Sequence, residues 1–155
     1  MIIQGKYRIE APISDVWRLL MDFKVLEKIT PGISELLPLG KNKYKAISKI
    51  KIGPVKGNFV GELEIKDIIE NSMATIVMNQ KSKIGYLTAS INMRLNKINS
   101  STEIEYKGEA KLSGKLAMMG QRIIGGVVSS LTKQFFTALD NEIKNVNPKP
   151  SSYAN

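Results

Sequence analysis

Acidic side chains are the first candidates for catalysis in this sequence, because its 155 residues include no His and no Cys. Glu62 and Glu64 form one pair at a spacing of two residues, and Glu103 and Glu105 form another. Both pairs lie in alternating segments, on the face where solvated carboxylates balance Lys. The missing His and Cys exclude a Ser-His-Asp or Cys-His arrangement and the usual general base near neutral pH. We therefore predict no catalytic residue, no metal site and no cofactor.

Basic side chains are the second feature with chemical meaning. The chain carries 23 Lys and Arg against 14 Asp and Glu, for a net charge of +9. Six Lys and no acid lie between positions 41 and 56, and four of them share one face of a predicted strand: Lys43, Lys45, Lys49 and Lys51. Such a stripe fits an edge strand that resists aggregation, and it equally fits a surface that docks to anionic lipid or an acidic partner. Nucleic acid is not favoured, because Arg is scarce and aromatic residues make up only 6%.

The elements that would position these residues follow from the hydrophobic pattern. Residues 2–9 alternate as a short strand, and two short helices follow, with Ser14 and Asp22 as the expected N-caps. Residues 43–112 have a period of two, interrupted by turns, which predicts an antiparallel meander with one apolar face. Residues 115–144 have a helical period, which predicts one apolar stripe of Leu116, Gly120, Ile124, Val127, Leu131, Phe135 and Ala138. The predicted fold class is α+β: a curved antiparallel sheet wrapped around a long C-terminal helix, with two short helices after the first strand.

The apolar faces of the sheet and of the long helix must cover each other, and small residues on the facing lines would leave space between them. These small residues are Gly57, Gly61, Gly108, Ala110, Gly120 and Ala138. We predict a mainly apolar ligand cavity there, lined by Trp17, Phe59, Leu63, Met78, Leu87, Ile91, Met93, Tyr106, Gly120, Ile124, Val127 and Leu131.

Three of these assignments have a competing interpretation. Trp17 lies near the start of the domain, where a single Trp is more often an ordinary core residue than part of a cavity mouth. Met side chains fill gaps in cores as often as they form adaptable pocket walls. Gly120 lies at the predicted centre of the helix stripe, where Gly either opens volume for a ligand or allows close backbone packing.

The ends of the chain carry no recognisable targeting segment. Residues 1–6 lack a basic stretch followed by a long apolar run, and the sequence contains no run of about 20 apolar residues. We therefore expect a cytoplasmic protein. Residues 1–145 are predicted to form one domain, and 146–155 a short disordered polar tail.

Three local segments resemble those of a known superfamily. The run IEAPISDVW at 9–17, with Asp22 and Pro31-Gly32 downstream, resembles the opening of START-like (Bet v 1-like, SRPBCC) domains. The runs KIGPVKGNFVG at 51–61 and GKLAMMGQRII at 114–124 are similar to one family within it, that of the G subunit of carbon monoxide dehydrogenase.

This resemblance extends over about residues 2–143 and implies a helix-grip fold around a hydrophobic cavity, with no fixed catalytic apparatus. Members of the family accompany molybdenum-containing hydroxylase-type dehydrogenases, and they are linked to membrane attachment and to quinone- or lipid-like ligands. The sequence departs from the family at Ile33, where many members have Cys. It also contains no Pro-rich linker and hydrophobic tail, which some members have.

The leading hypothesis is a non-enzymatic protein that binds a hydrophobic, quinone- or lipid-like small molecule. It would act beside a carbon monoxide dehydrogenase-like molybdenum enzyme and aid its association with the inner face of the membrane. One alternative is a cyclase- or hydrolase-type enzyme of the same superfamily, against which the missing His and Cys argue. Another is a protein adaptor whose cavity is vestigial.

Overall fold

The computed structural model describes residues 1–146. Within this range the elements are β1 (Ile2–Ile9), α1 (Ile13–Leu20), α2 (Phe23–Ile29), β2 (Ile33–Gly40), β3 (Lys43–Ile52), β4 (Val55–Ile69), β5 (Met73–Ser82), β6 (Gly85–Ile98), β7 (Ser101–Leu112), α3 (Lys115–Met118) and α4 (Gly120–Val146). The tail predicted at 146–155 lies outside the described residues, except for Val146, which is the last residue of α4.

All seven strands form one antiparallel sheet in the order β1-β7-β6-β5-β4-β3-β2. After β1 the chain passes through α1 and α2 to the far edge, and it then returns strand by strand until β7 pairs with β1. Side chains of α3 and α4 pack against the apolar face of this sheet. The predicted α+β helix-grip architecture is therefore confirmed.

The alternating pattern of β4 shows why the sheet has one apolar face. Val55, Phe59 and Leu63 are buried, whereas Lys56 and Val60 are exposed. Successive side chains of a strand point to opposite faces, so a period of two in the sequence puts the apolar set on one side. The same pattern in β6 and β7 extends this inner face across the sheet.

The two short helices begin in different ways. Asp22 caps α2 as predicted, because its carboxylate accepts a hydrogen bond from the backbone N–H of Lys24 at 3.0 Å. The prediction that Ser14 caps α1 is wrong. That helix begins at Ile13 directly after Pro12, and its N-cap makes no side-chain hydrogen bond. The pyrrolidine ring of Pro12 already holds φ near −63°, a value suited to a helix start.

The sequence pattern did not predict β2, and the reason lies in its irregularity. Leu36 is its one buried residue, Pro38 lies inside it, and its register with β3 shifts twice. Pro and register shifts are typical of edge strands, and they conceal the period of two. Since β2 occupies this edge, β3 with its Lys residues is an interior strand, and the edge-strand interpretation of the Lys stripe is wrong.

The C-terminal helix is divided where one continuous helix was predicted. α3 ends at Met118, and α4 begins at Gly120 with a φ of +83°. A positive φ belongs to the left-handed region, which a right-handed helix cannot contain, so the chain turns at this point.

The apolar stripe of α4 also differs from the predicted one in its second half. The predicted stripe passes through Phe135 and Ala138, which are half-buried, whereas the buried residues of this half are Phe136, Leu139 and Ile143. The second half packs against α1 and α2 as well as the sheet, so its buried side is rotated toward those helices.

The buried side chains form two clusters. We call the larger one the closed core: it joins α1, α2, the strands and the second half of α4, and it contains Ile9, Val16, Ile104 and Leu139, each with no exposed surface. The smaller one contains Val55, Phe59 and Leu116 together with Ile124 and Val127 from the first half of α4.

Candidate ligand-binding cavity

A cavity of about 380 Å³ lies between the inner face of the sheet and α4, which lines it from Ile124 to Phe136. Its wall reaches from Ile3 of β1 through the inner residues of β3 to β7, and α4 contributes Ile124, Val127 and Leu131. The volume falls in the range of small-molecule sites in proteins, about 300–1,000 Å³. The predicted apolar space between helix and sheet is therefore present.

The structure brings ten of the twelve predicted cavity residues together around this space. They are Phe59, Leu63, Met78, Leu87, Ile91, Met93, Tyr106, Ile124, Val127 and Leu131. Strand parity placed the first seven on the inner face, and helical periodicity placed the last three opposite them.

Trp17 is a correction, because it lies in the closed core and does not line the cavity. It is 7% exposed and packs where α1 covers β6 and β7. The buried face of α1, which also carries Val16 and Leu20, closes one end of the sheet. The ordinary core interpretation of this residue is the correct one.

Gly120 is a second correction. It is exposed at the junction of α3 and α4, and a Cβ there would meet no atom within 4 Å. Neither proposed reason for an inward Gly applies, because the positive φ alone explains the residue.

The idea that glycines open the cavity is wrong for the strands as well. A Cβ at Gly61 would overlap the carbonyl oxygen of Asn79, and one at Gly108 would overlap that of Ser90. These glycines allow adjacent backbones of the sheet to approach closely. Ala110, by contrast, does line the cavity.

Sequence reasoning missed the part of the wall that comes from the α2–β2 connection and β2, and it missed Gln80 on β5. Thr30, Pro31, Ile33 and Leu36 close one side of the cavity. Because β2 was not recognised, this side had no predicted wall. Gln80 on β5 was also missed, although it shares parity with Met78 and so lies on the inner face.

Five lining residues carry a polar side-chain group: Thr30, Ser48, Gln80, Tyr106 and Thr132. The Thr132 hydroxyl donates to the carbonyl of Val128 at 2.8 Å within α4. Burial raises the pKa of the Tyr106 phenol above its usual 10.0, so the phenol is neutral at physiological pH. Among the described residues, no Asp, Glu, Lys or Arg lines this cavity.

A second depression, of about 710 Å³, lies on the outer side of β1, β6 and β7. It is lined mainly by polar and charged residues such as Asn92, Arg94 and Lys107. Lys6 and Glu105, also in its wall, approach to 3.8 Å and are both solvent-accessible. Charges on a solvated face are ordinary, so the inner apolar cavity is the stronger candidate for a ligand site.

The four Lys predicted as one docking stripe fall into two environments. Lys43 and Lys45 lie opposite Glu64 and Glu62 on β4, and the Nζ of Lys43 is 3.3 Å from Oε1 of Glu62. The pairing of β3 with β4 therefore balances the positive charge of Lys43 and Lys45 with two acids from later in the sequence.

Lys49 and Lys51 belong to a different group of cations near the cavity. Here the β3–β4 turn, the β5–β6 turn and α3 meet, since the N–H of Leu116 donates to the carbonyl of Ile84 at 2.9 Å and Leu116 packs with Val55. Segments 49–58, 81–88 and 110–126 contain no Asp or Glu. Their exposed basic residues are Lys49, Lys51, Lys56, Lys81, Lys83, Lys111, Lys115 and Arg122. We call this group the basic end.

The sequence matches the family described as the G subunit of carbon monoxide dehydrogenase (CoxG) over residues 5–144. The chain belongs to this family. No curated protein matches it. Within residues 1–146 of this CoxG-family chain, no helix has both the length and the apolar character needed to cross a bilayer.

Several solved structures share the fold of the CoxG-family chain. A conserved protein from Geobacillus kaustophilus has 31% sequence identity and a TM-score of 0.91 over 94% of this chain and 96% of that one. A START superfamily protein from Mycobacterium smegmatis has 10% identity and a TM-score of 0.74 over 94% and 99%. The Zhui aromatase/cyclase from Streptomyces sp. R1128 has 14% identity and a TM-score of 0.68 over 96% of each chain. The last two likenesses concern the fold alone.

Proposed function

We propose that this CoxG-family protein carries a quinone- or lipid-like molecule in its cavity and presents it, without transforming it, to a molybdenum-containing dehydrogenase. The observation that carries this proposal is the apolar cavity between α4 and the sheet. An apolar ligand that leaves water for such a space gains about 25 cal/mol per Å² of buried apolar surface. The family name supports the choice of an oxidoreductase as the partner.

A non-catalytic role is supported by the groups that the cavity presents. The described lining offers hydroxyls, one amide and the neutral phenol of Tyr106, with no ionised side chain. General acid–base catalysis needs a group whose pKa lies near the working pH, and the sequence has no His or Cys to supply it. Binding and release are therefore the activities that this cavity favours.

We further propose that the basic end docks on anionic lipid headgroups. Its eight exposed cations face no acid within their own segments, and Met118 beside them is 85% exposed. Basic residues near an anionic bilayer contribute about 1 kcal/mol each, and an exposed apolar side chain can enter the interface. The location that follows is peripheral, on the inner face of the membrane.

The carrier proposal is tested by extracting the purified protein with organic solvent and identifying the product by mass spectrometry. A quinone or lipid supports it, a polar metabolite would favour the enzyme alternative, and an empty extract would favour the adaptor. Val127→Phe, which fills the cavity, should lower the extracted amount. Thr137→Phe, at an exposed position of the same helix, should leave it unchanged.

Membrane docking is tested with vesicles that contain phosphatidylglycerol, at low salt. Changing Lys49, Lys51 and Lys56 to Gln should weaken binding by up to about 3 kcal/mol, from about 1 kcal/mol per cation. The matched control changes Lys41, Lys43 and Lys45 to Gln, which removes the same charge beside Glu62 and Glu64. Equal losses in the two triple variants would show that net charge, and not the basic end, controls binding.

A further inference from the structure

Tyr106 on β7 brings a phenol hydroxyl to the wall of the apolar cavity. The residue is half-buried and lines this cavity. Among the described residues its Oη makes no hydrogen bond, and it keeps accessible surface, because Oε1 of Gln80 is the one fully buried side-chain atom that lacks a partner. The hydroxyl of Tyr106 is therefore open to a molecule in the space beside it.

Gly5 on β1 sets the direction of this phenol. The two residues are direct partners in the pairing of β1 with β7. A Cβ at Gly5 would overlap Oη of Tyr106 and lie 2.7 Å from its Cζ, so the phenol lies across the face of Gly5 from which a side chain would project. This is the inner face, since Ile3 and Ile9 have the same parity, and Ile3 lines the cavity while Ile9 belongs to the closed core.

The phenol is covered from the other side by α4. The ring centroid of Tyr106 is 5.5 Å from that of Phe136, and Phe136 meets Phe135 edge to face at 5.3 Å. All three rings line the cavity. The phenol thus lies between β1 and α4 in an aromatic part of the wall, against which the flat ring of a ligand can pack.

The neighbouring hydroxyls already have acceptors. Tyr7, two residues after Gly5 on β1, donates to Oδ2 of Asp140 at 2.8 Å. Thr132, one turn before Phe136 on α4, donates to the carbonyl of its own helix as described above. Of the three hydroxyls around this part of the wall, that of Tyr106 is the one whose hydrogen is free.

We propose that the Tyr106 hydroxyl donates a hydrogen bond to a carbonyl oxygen of the ligand, and that Gly5 holds the phenol in position for this contact. The inference rests on the proposed function and narrows the ligand class to apolar molecules that carry a carbonyl group on a flat ring. A carbonyl oxygen can only accept a hydrogen bond, which makes it the complement of a free phenol hydrogen. Within the quinone-like class this favours the oxidised ring, whose oxygens are carbonyls.

Two probes that differ only in the acceptor test the proposal. 2-Acetylnaphthalene and 2-isopropenylnaphthalene have nearly the same shape, but only the ketone has an oxygen. Their dissociation constants are measured by calorimetry on the wild-type protein, on Tyr106→Phe, which removes only the hydroxyl, and on Gly5→Ala, which displaces the phenol. Comparing the alkene-to-ketone ratio of these constants between proteins cancels the different hydrophobicities of the probes.

We expect this ratio to fall about fivefold in Tyr106→Phe, the effect of one ordinary hydrogen bond. It should also fall in Gly5→Ala, although that protein keeps the hydroxyl. Tyr44→Phe is the matched control, because it removes the hydroxyl of a closed-core tyrosine outside the cavity wall, and it should keep the wild-type ratio. Tyr106→Leu provides a second variant without the hydroxyl if Tyr106→Phe does not fold.

The outcomes separate this inference from the function on which it rests. If the wild-type protein binds neither probe, the cavity is not a ligand site, and both proposals are overturned. If it binds both probes and the ratio is unchanged in Tyr106→Phe, apolar binding stands and the anchoring role of Tyr106 is overturned. The ring would then only cover Gly5 and stabilise the sheet edge. A ratio that falls in Tyr106→Phe but not in Gly5→Ala overturns the positioning role of Gly5.

Discussion

The two halves of α4 face the same sheet but pack in opposite ways. In the second half, Leu139 and Ile143 belong to the closed core with α1 and α2, Leu139 has no exposed surface, and the cavity wall ends at Phe136. In the first half, Ile124 and Val127 border the cavity. The difference arises because α1 and α2 cover only one end of the sheet.

This contrast assigns stability and binding to separate parts of one helix. Closely packed side chains supply most of the favourable free energy of folding, whereas a cavity forgoes such contacts along its walls. Binding regions are commonly drawn from the less stable parts of a protein. We therefore expect changes in the second half of α4 to alter the free energy of unfolding, and changes in the first half to alter ligand retention.

The largest effect is expected at Leu139. Leu139→Ala should lower the free energy of unfolding by about 2–5 kcal/mol, because it leaves a void in the closed core. Leu131→Ala, in the half-buried cavity wall, should cost only about 1 kcal/mol, since its side chain is not enclosed on all sides. Chemical denaturation of both variants measures the difference, and similar losses would remove the distinction between the two halves.

An intermediate effect is expected at Tyr7, which joins β1 to the second half of α4. Its hydroxyl donates to Oδ2 of Asp140 at 2.8 Å, and its ring stacks on Phe136 with a centroid distance of 4.6 Å. Tyr7→Phe keeps the stacking and loses the hydrogen bond, so the free energy of unfolding should fall by about 1 kcal/mol at neutral pH.

The same residue predicts a pH dependence. The hydrogen bond to Asp140, followed by burial and the nearby negative charge, raises the pKa of Tyr7 above 10.0. The neutral phenol is the stabilised form, so its contribution is complete below pH 10 and is lost as the pH rises through the higher folded-state value. The difference in unfolding free energy between wild type and Tyr7→Phe should shrink over that window. A difference that stays constant into alkaline solution would argue against the bond.

The smallest effect is expected among the glycines of the first half of α4. A Cβ at Gly125 would meet no atom within 4 Å. Gly125→Ala should therefore stabilise the protein by about 0.5–1 kcal/mol, because Ala loses less backbone entropy in a helix. Gly120→Ala, five residues earlier, should destabilise it by about 1 kcal/mol because of the positive φ. Thermal unfolding of both variants measures these changes. Since the space around the two glycines is equally open, a rise in stability at one and a fall at the other would show that backbone strain, and not available space, sets the effect.

Much of the fold could be predicted because its signals are local. The period of two predicts which residues of β3 to β7 lie on the inner face. Asp22 marks the start of α2, because its side chain caps the helix through one hydrogen bond. These features depend on residues a few positions apart. Ten cavity residues were found in the same way, since parity and helical period decide which side of an element a residue occupies.

The missed features depend on which elements become neighbours. The pattern of β2 is interrupted by Pro38 and by register shifts that only its pairing with β3 defines. Trp17 was wrongly assigned to the cavity, because tertiary packing decides that its side chain lies between α1 and the sheet and not beside the open space. The buried stripe of α4 differs from the predicted one for the same reason, because α1 and α2 pack against the second half of the helix.

The sequence by itself determined the strand periodicity, the amphipathic C-terminal segment, the lack of His and Cys, and the excess of positive charge. Tertiary structure decided how those charges and polar groups are matched. Lys43 meets Glu62 only after β3 pairs with β4, whereas the basic end forms where three acid-free segments converge. Tyr106 lies over Gly5 only because β7 pairs with β1. The physical reason is that periodicity is set along the chain, but Coulomb energy, hydrogen bonding and desolvation depend on distances between residues that folding brings together.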